Sequence, residues 1–116
     1  MFNYCSQLTE LDLSNFDTSN VTNMYDMFAW CSSLTELDLS NFDISKVTDI
    51  RSMFYNCNSL RTLRLDNCSN DTISKIIKSY QFPTGTIEGV TRKIYCKQSE
   101  AEGLTPPTNW VFEFID

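Results

Sequence analysis

The side chains best suited to chemistry in this chain are its cysteines, three of which recur at one spacing. Cys5, Cys31 and Cys57 are evenly spaced along the sequence. Structural zinc sites use cysteine pairs two to four residues apart, and the chain contains no such pair. The odd total of five and the regular spacing argue against a disulfide framework. We therefore predict that these thiols are buried packing residues and that the chain has no metal site.

Histidine is absent from the chain. Its absence excludes a Ser–His–Asp triad, a Cys–His dyad and histidine metal ligands built from this sequence alone. Cys96 has no histidine to activate it as a nucleophile. We expect a protein that is not an enzyme and uses no cofactor. Turnover lost on Cys96→Ala would contradict this expectation.

The formal charge of −6 is concentrated in the first half of the chain. Residues 1–50 contain eight acidic residues and a single base, Lys46. Nucleic-acid binding needs a basic surface, so we expect no nucleic-acid partner. No run of 18 apolar residues is present, which predicts no membrane insertion by this segment.

The elements that position these residues come from a repeated unit, whose best-preserved copy is Cys31–Asp43. In the copy before it, Leu8–Leu13 ends in apolar–polar alternation, which predicts a short strand. Apolar residues over 21–31 follow the spacing i, i+3, i+6, i+7 and i+10, which predicts a short helix. One such unit cannot bury its apolar face alone, so we expect successive units to stack with their strands parallel.

The pattern L-x-x-L-x-L recurs at a spacing that lies within the roughly 20–29-residue range of leucine-rich repeats. The fuller pattern MFxxCxxLTxLDLSNFDxSxVTxM resembles the BspA-like repeat of bacterial surface proteins. This resemblance implies an α/β fold: a right-handed leucine-rich-repeat solenoid with a parallel strand ladder, short helices on the opposite side and a C-terminal cap. We assign residues 1–80 to three 26-residue repeats, the first starting mid-unit, as in a segment of a longer protein, and the third degenerate. Residues 81–116 are then the cap.

The last part of the chain departs from the repeat. Asp71–Tyr80 has helical spacing with Asp71 as a candidate N-cap, and Pro83 ends the segment. Residues 92–96 predict a strand that follows Leu65 by close to one repeat length and forms a fourth rung. Residues 110–115 alternate and predict an edge strand, whose direction the alternation does not fix.

Stacking would align the outward-facing side chains of successive strands into rows. Asp12, Asp38 and Arg64 form one row, and Glu10, Glu36 and Thr62 form another. Arg64 offsets the repulsion between the two aspartates. These rows are either a solvated surface or a recognition surface with an acidic end and a basic end. Aromatic residues beside the cysteine position either pack between units or contact a protein or glycan. The candidate binding residues are Glu10, Asp12, Glu36, Asp38, Arg61, Arg64, Tyr4, Trp30 and Tyr55.

The resemblance also implies a function. It predicts a protein-interaction or adhesion module, at the cell surface or secreted, from a bacterium. The expected partner is a protein or glycan of a host or a neighbouring cell. The alternative is a structural spacer or stalk that has no ligand of its own.

Overall fold

Four parallel strands form one sheet in the described part of the chain, and their spatial order follows the chain order. The structure is a computed structural model that describes residues 6–11, 13 and 16–116. Its elements are β1 (Glu36–Asp38), β2 (Thr62–Arg64), α1 (Asn70–Ile77), β3 (Arg92–Cys96), a short 3₁₀-helix (Gln98–Ala101) and β4 (Trp110–Phe114). The molecule is therefore a small α/β domain, because the helix and the sheet belong to one chain-ordered stack.

The strand register places equivalent positions side by side. Leu37 pairs with Leu63, its equivalent in the next repeat, as the sequence predicts. Leu63 pairs in turn with Ile94, whereas the sequence spacing had aligned the new strand with Leu65. The predicted strands at 92–96 and 110–115 are confirmed, and β4 proves to be parallel to β3. The alternation of apolar and polar residues predicts these strands because one face of each is buried.

The predicted helix over residues 21–31 is wrong. The segment is a run of turns, closed by hydrogen bonds such as Met27 N–H to Met24 O at 3.1 Å. Asp26 and Trp30 have positive φ angles of 57° and 66°, which a right-handed helix does not contain. The resulting chain of turns reproduces helical spacing of apolar residues without a helix.

The backbone donors of this segment explain the difference. Four of its N–H groups donate to carbonyls of the next unit, in each case to the residue just before the equivalent position. The donors are Met24, Asp26, Phe28 and Trp30, and the acceptors are Asp49, Arg51, Met53 and Tyr55. We call these two segments, 24–30 and 49–55, the turn ladder. An N–H that donates to the neighbouring unit does not donate to the carbonyl four residues earlier in its own segment, so an α-helix cannot form.

The one α-helix among the described residues, α1, begins and ends earlier than the predicted segment. Its N-cap is Ser69, whose hydroxyl accepts from Thr72 N–H at 3.3 Å, so the prediction of Asp71 as the cap is wrong. Asp71 instead lies in the first turn, where its charge suits the helix dipole. The helix ends at Ile77 and does not reach Tyr80. Its buried face contains Ile73 and Ile76.

The first unit has no strand in its described part. Residues 8–11 and 13 are irregular, although Thr35 N–H donates to Thr9 O at 3.1 Å. The Thr35 hydroxyl also donates to Thr9 O, at 3.4 Å, so the described part of this segment lies beside the start of β1. The expected strand at Leu8–Leu13 is therefore not formed at these residues.

Leucine and aromatic columns fill the core from one unit to the next. Leu37, Leu63 and Ile94 are buried behind the sheet. Ring contacts continue in a second column, with centroids 5.9 Å apart between Phe28 and Phe54, 5.4 Å between Phe54 and Phe82, and 5.2 Å between Phe82 and Trp110. The core thus runs without interruption from the sequence repeats to the C-terminal segment.

Candidate interaction surface

The outward face of the sheet carries two rows of mostly polar side chains. The central residues of the strands, Leu37, Leu63, Ile94 and Phe112, pack toward the core, so the residues on either side of them point outward. One row is Glu36, Thr62, Lys93 and Val111, and the other is Asp38, Arg64, Tyr95 and Glu113. The predicted neighbours Glu36–Thr62 and Asp38–Arg64 are therefore confirmed.

Four of the candidate residues surround one shallow cavity of about 230 Å³. Glu10, Glu36, Asp38 and Arg64 line it together with Leu11. The side chains of Glu10, Glu36 and Asp38 belong to exposed residues, whereas Leu11 is partly buried against the core. The lining of the cavity thus combines three carboxylates and Arg64 with one apolar residue, Leu11.

The remaining candidates are not brought to this cavity. Arg61 is exposed just before β2, and its backbone carbonyl accepts from Lys93 N–H at 2.9 Å. Asp12 and Tyr4 lie outside the described residues. Trp30 and Tyr55 form a separate pair on the turn ladder, with ring centroids 5.4 Å apart and planes at 72°. This contact agrees with the interpretation that they pack between units, yet 42% of Trp30 stays exposed.

Arg64 does not neutralise Asp38 through a direct ion pair, as the row arrangement had suggested. Its guanidinium donates to the Asp66 carboxylate at 2.7 Å and lies over the Tyr95 ring, 4.5 Å from the centroid. The hydrogen bond to Asp66 raises the pKa of Arg64 further. Asp38 accepts instead from the Ser40 backbone N–H at 2.9 Å. The Arg64 guanidinium is thereby held at Asp66 and Tyr95, while Arg64 still lines the cavity and interacts with Asp38 at longer range.

The charges on the other strands are also paired. Lys93 Nζ lies 3.7 Å from Glu113 Oε1, which joins β3 to β4 on the outward face. Among the described residues, no ion pair within 4.0 Å involves Glu10, Glu36 or Asp38. The carboxylates of this face that form no ion pair in the described part of the chain therefore lie at its β1 end.

Sequence reasoning missed two residues that shape this surface, Tyr95 and Asp66. The strand at 92–96 was predicted, and its alternation was a sufficient signal to place Lys93 and Tyr95 outward. Asp66 lies beyond the end of β2, where the row pattern no longer applies. Its partnership with Arg64 had no signal in the repeat, because the equivalent positions of other units hold different residues.

The described cysteines are buried and act as packing residues, which confirms the prediction for Cys31 and Cys57; Cys5 lies outside the described residues. Burial raises the pKa of Cys57 and of Cys68 to about 12, and that of Cys96 to about 11. The Cys57 thiol donates to Phe28 O at 3.0 Å. These three thiols stay protonated at neutral pH, so they are poor nucleophiles and poor metal ligands.

No group of three or more cysteine, aspartate or glutamate side chains is arranged to hold a metal ion in residues 6–11, 13 and 16–116. Within the same residues, no helix has the length and apolar character needed to cross a bilayer.

Comparison with known proteins places the repeats in a family. Residues 1–84 match the family described as "Mycoplasma protein of unknown function, DUF285". The chain belongs to this family. The match covers the three sequence repeats and α1, and it ends before β3. No curated protein and no solved structure matches the chain.

Proposed function

We propose that this DUF285 chain is a segment of a right-handed solenoid of BspA-like leucine-rich repeats. The support is the chain-ordered parallel sheet, the pairing of equivalent repeat positions in β1 and β2, and the turn ladder between consecutive units. Parallel strands joined by crossovers are almost always right-handed. In this arrangement, residues 81–116 are the C-terminal cap, because β3 and β4 extend the same sheet.

The function we propose is non-enzymatic protein recognition by a bacterial surface or secreted protein. The observation that carries it is the excess of negative charge around the cavity, where Glu10, Glu36 and Asp38 outnumber Arg64. Asp38 accepts from the Ser40 N–H and so contributes to the fold, but all three residues are exposed and form no ion pair within the described residues. Repeat proteins commonly bind partners through such open faces.

The partner that fits this surface is a protein of a host or neighbouring cell that presents basic side chains. A lysine has an aliphatic stem and a charged head, and the two parts can lie on different surroundings. The stem would lie on Leu11, and the ammonium group would lie among the three carboxylates. Exposed charges of one sign also accelerate encounter with an oppositely charged partner, and salt weakens this effect.

The test is binding of labelled protein to intact host or neighbouring cells at low and high salt. Glu36→Lys combined with Asp38→Lys reverses the charge of the cavity. Glu88→Lys combined with Glu102→Lys is the matched control, because both of these exposed residues lie outside the strands and the net charge changes equally. We expect the first variant to lose most of its binding and the control to keep it, with unchanged circular dichroism in both.

Other results would contradict the proposal. Equal binding by the cavity variant and the wild type would remove this face from consideration. Equal loss in both variants would indicate general electrostatic attraction. No binding by any of the three proteins would favour the alternative role as a structural spacer.

A further inference from the structure

The strand β4 ends the sheet on the side opposite to β1, and no strand lies beyond it among the described residues. Ile115 N–H donates to Cys96 O at 3.1 Å. Backbone groups alternate in direction along a strand, so the odd-numbered residues of this segment direct their N–H and C=O groups toward β3. The backbone groups of Phe112 and Phe114 therefore point to the open edge. An edge of this kind is a template for pairing with another strand.

The same edge exposes large apolar side chains. Val111 is 43% exposed and Phe114 is 42% exposed. Edge strands are commonly protected by lysine, proline or a bulge, whereas β4 contains neither lysine nor proline and pairs with β3 without a bulge. Its single charged residue, Glu113, already forms an ion pair with Lys93. The edge therefore lacks the features that keep strands of different molecules apart.

The backbone groups at this edge are complementary to those of a second copy of the chain. A two-fold axis makes β4 antiparallel to its copy. With Phe112 opposite Phe112 of the second copy, each of these two residues donates to the other and accepts from it. Phe114 N–H then donates to Trp110 O of the second copy, and the same bond forms in the reverse direction. Trp110 N–H already donates to Pro107 O at 3.0 Å, so it needs no acceptor across the interface.

Charge favours this register and this end of the sheet. An axis at Glu113 would place two carboxylates directly opposite each other, which is unfavourable, and an axis at Val111 would leave Phe114 unpaired. The axis at Phe112 places Glu113 opposite Val111 instead. Residues 51–116 contain seven acidic and eight basic residues, so little net charge opposes the approach of two copies at β4. At the β1 end, by contrast, the exposed carboxylates of two copies would repel each other.

We propose that β4 is a self-association surface, on which two copies of this chain pair antiparallel about a two-fold axis at Phe112. The ring of Phe114 then lies beside Trp110 of the second copy, because directly opposite residues share one face of the sheet. The two sheets become one continuous sheet whose two ends are the β1 strands. No residue of β4 lines the cavity proposed above as a recognition surface, so the two proposals are tested independently.

Sedimentation equilibrium of the intact chain measures this association. We expect the average mass to rise from the monomer value of 13.4 kDa toward twice that value as the concentration increases from about 1 μM to 1 mM. Phe114→Pro removes an N–H that faces the open edge and leaves the hydrogen bonds between β4 and β3 in place. Phe114→Val is the matched control, because valine is similar in size to proline and keeps the N–H. The proline variant should dimerise about threefold or more weakly than the valine variant, since two symmetric hydrogen bonds are lost.

Charge at position 111 tests the register, and it decides the matter even if Phe114→Pro fails to fold. Val111→Lys places a lysine opposite Glu113 of the second copy and should tighten dimerisation about twofold or more, whereas Val111→Glu should weaken it by a similar factor. Ser32→Lys and Ser32→Glu are the matched controls, because Ser32 is exposed and lies outside the strands, and both should keep the wild-type affinity.

Three results would overturn the proposal. The first is a wild-type chain that stays monomeric up to about 1 mM, which would leave the edge to a strand of another protein. The second is an average mass that grows beyond the dimer. The third is an equal effect of charge at positions 111 and 32, which would indicate general electrostatics and no contact at β4.

Discussion

The repeat region (residues 24–65) and the C-terminal region (residues 66–116) each contain a segment with apolar residues at helical spacing. Only the segment in the C-terminal region is a helix. In the repeat region, the N–H groups of Met24, Asp26, Phe28 and Trp30 donate to the next unit. In α1, they donate within the helix, starting with Ile73 N–H to Ser69 O at 2.9 Å. Side-chain spacing is similar in both, so the destination of the backbone donors decides between turns and helix.

The two regions also treat charge differently. The C-terminal region pairs Lys93 with Glu113 and buries Arg92, which is 2% exposed. The Arg92 guanidinium donates to Asn58 O at 2.6 Å and to Gly85 O at 3.1 Å, and burial lowers its pKa. The repeat region leaves its outward carboxylates on β1 without an ion pair among the described residues. Charged side chains thus join segments in the C-terminal region, whereas the outward carboxylates of β1 face solvent in the repeat region.

The largest expected effect tests whether both regions share one core. Leu37 in β1 and Ile94 in β3 are equivalent inward positions and are both buried. Leu37→Ala and Ile94→Ala should each lower the free energy of unfolding by about 2–5 kcal/mol, because each leaves a cavity. Urea titration followed by circular dichroism measures this change. A loss below about 1 kcal/mol for either variant would indicate that the two regions do not share one core.

A smaller effect tests the buried charge of the C-terminal region. Arg92→Met keeps most of the apolar stem and removes the donors to Asn58 and Gly85. It should lower the free energy of unfolding by about 1–3 kcal/mol, the contribution of hydrogen bonds to a charged group. Arg61→Met is the matched control, because Arg61 is exposed, and its effect should stay within about 0.5 kcal/mol. If Arg92→Met is neutral or stabilising, desolvation outweighs these hydrogen bonds.

The smallest effect is the acid sensitivity of the repeat region and the residues before it. Hydrogen bonds from Ser19 hold the pKa of Asp17 below its ordinary value of 3.8, and those from Ser45 do the same for Asp43. A carboxyl whose pKa is lower in the folded state stabilises the fold above its unfolded pKa and loses that contribution as pH falls through the folded value. The thermal midpoint should therefore decline below about pH 4. Asp43→Asn should flatten the decline, and an unchanged pH profile would contradict this assignment.

Much of the sheet could be predicted from the sequence, because alternation with one buried face fixes which side chains point inward. It did not give the direction of β4 or the pairing of Leu63 with Ile94. That logic predicted the Asp38–Arg64 and Glu36–Thr62 neighbours and the strand at 92–96. The helix over 21–31 failed because side-chain spacing carries no information about where N–H groups donate. The candidate site could be predicted only in part, for a similar reason. Arg64 contacts Asp66 and Tyr95 because of local geometry, and neither contact follows from the repeat.

The turn ladder makes segment 24–30 depend on the segment that follows it, while Thr48 N–H, just before segment 49–55, donates back to Thr22 O at 2.8 Å. Segment 24–30 needs the carbonyls of segment 49–55 for its N–H groups, whereas α1 closes its hydrogen bonds internally. Loss of segment 24–30 would keep the backbone of α1 complete, but loss of segment 49–55 would leave four donors of its predecessor without their acceptors. The turns of segment 24–30 are therefore expected to form only once segment 49–55, which is synthesised later, supplies their acceptors.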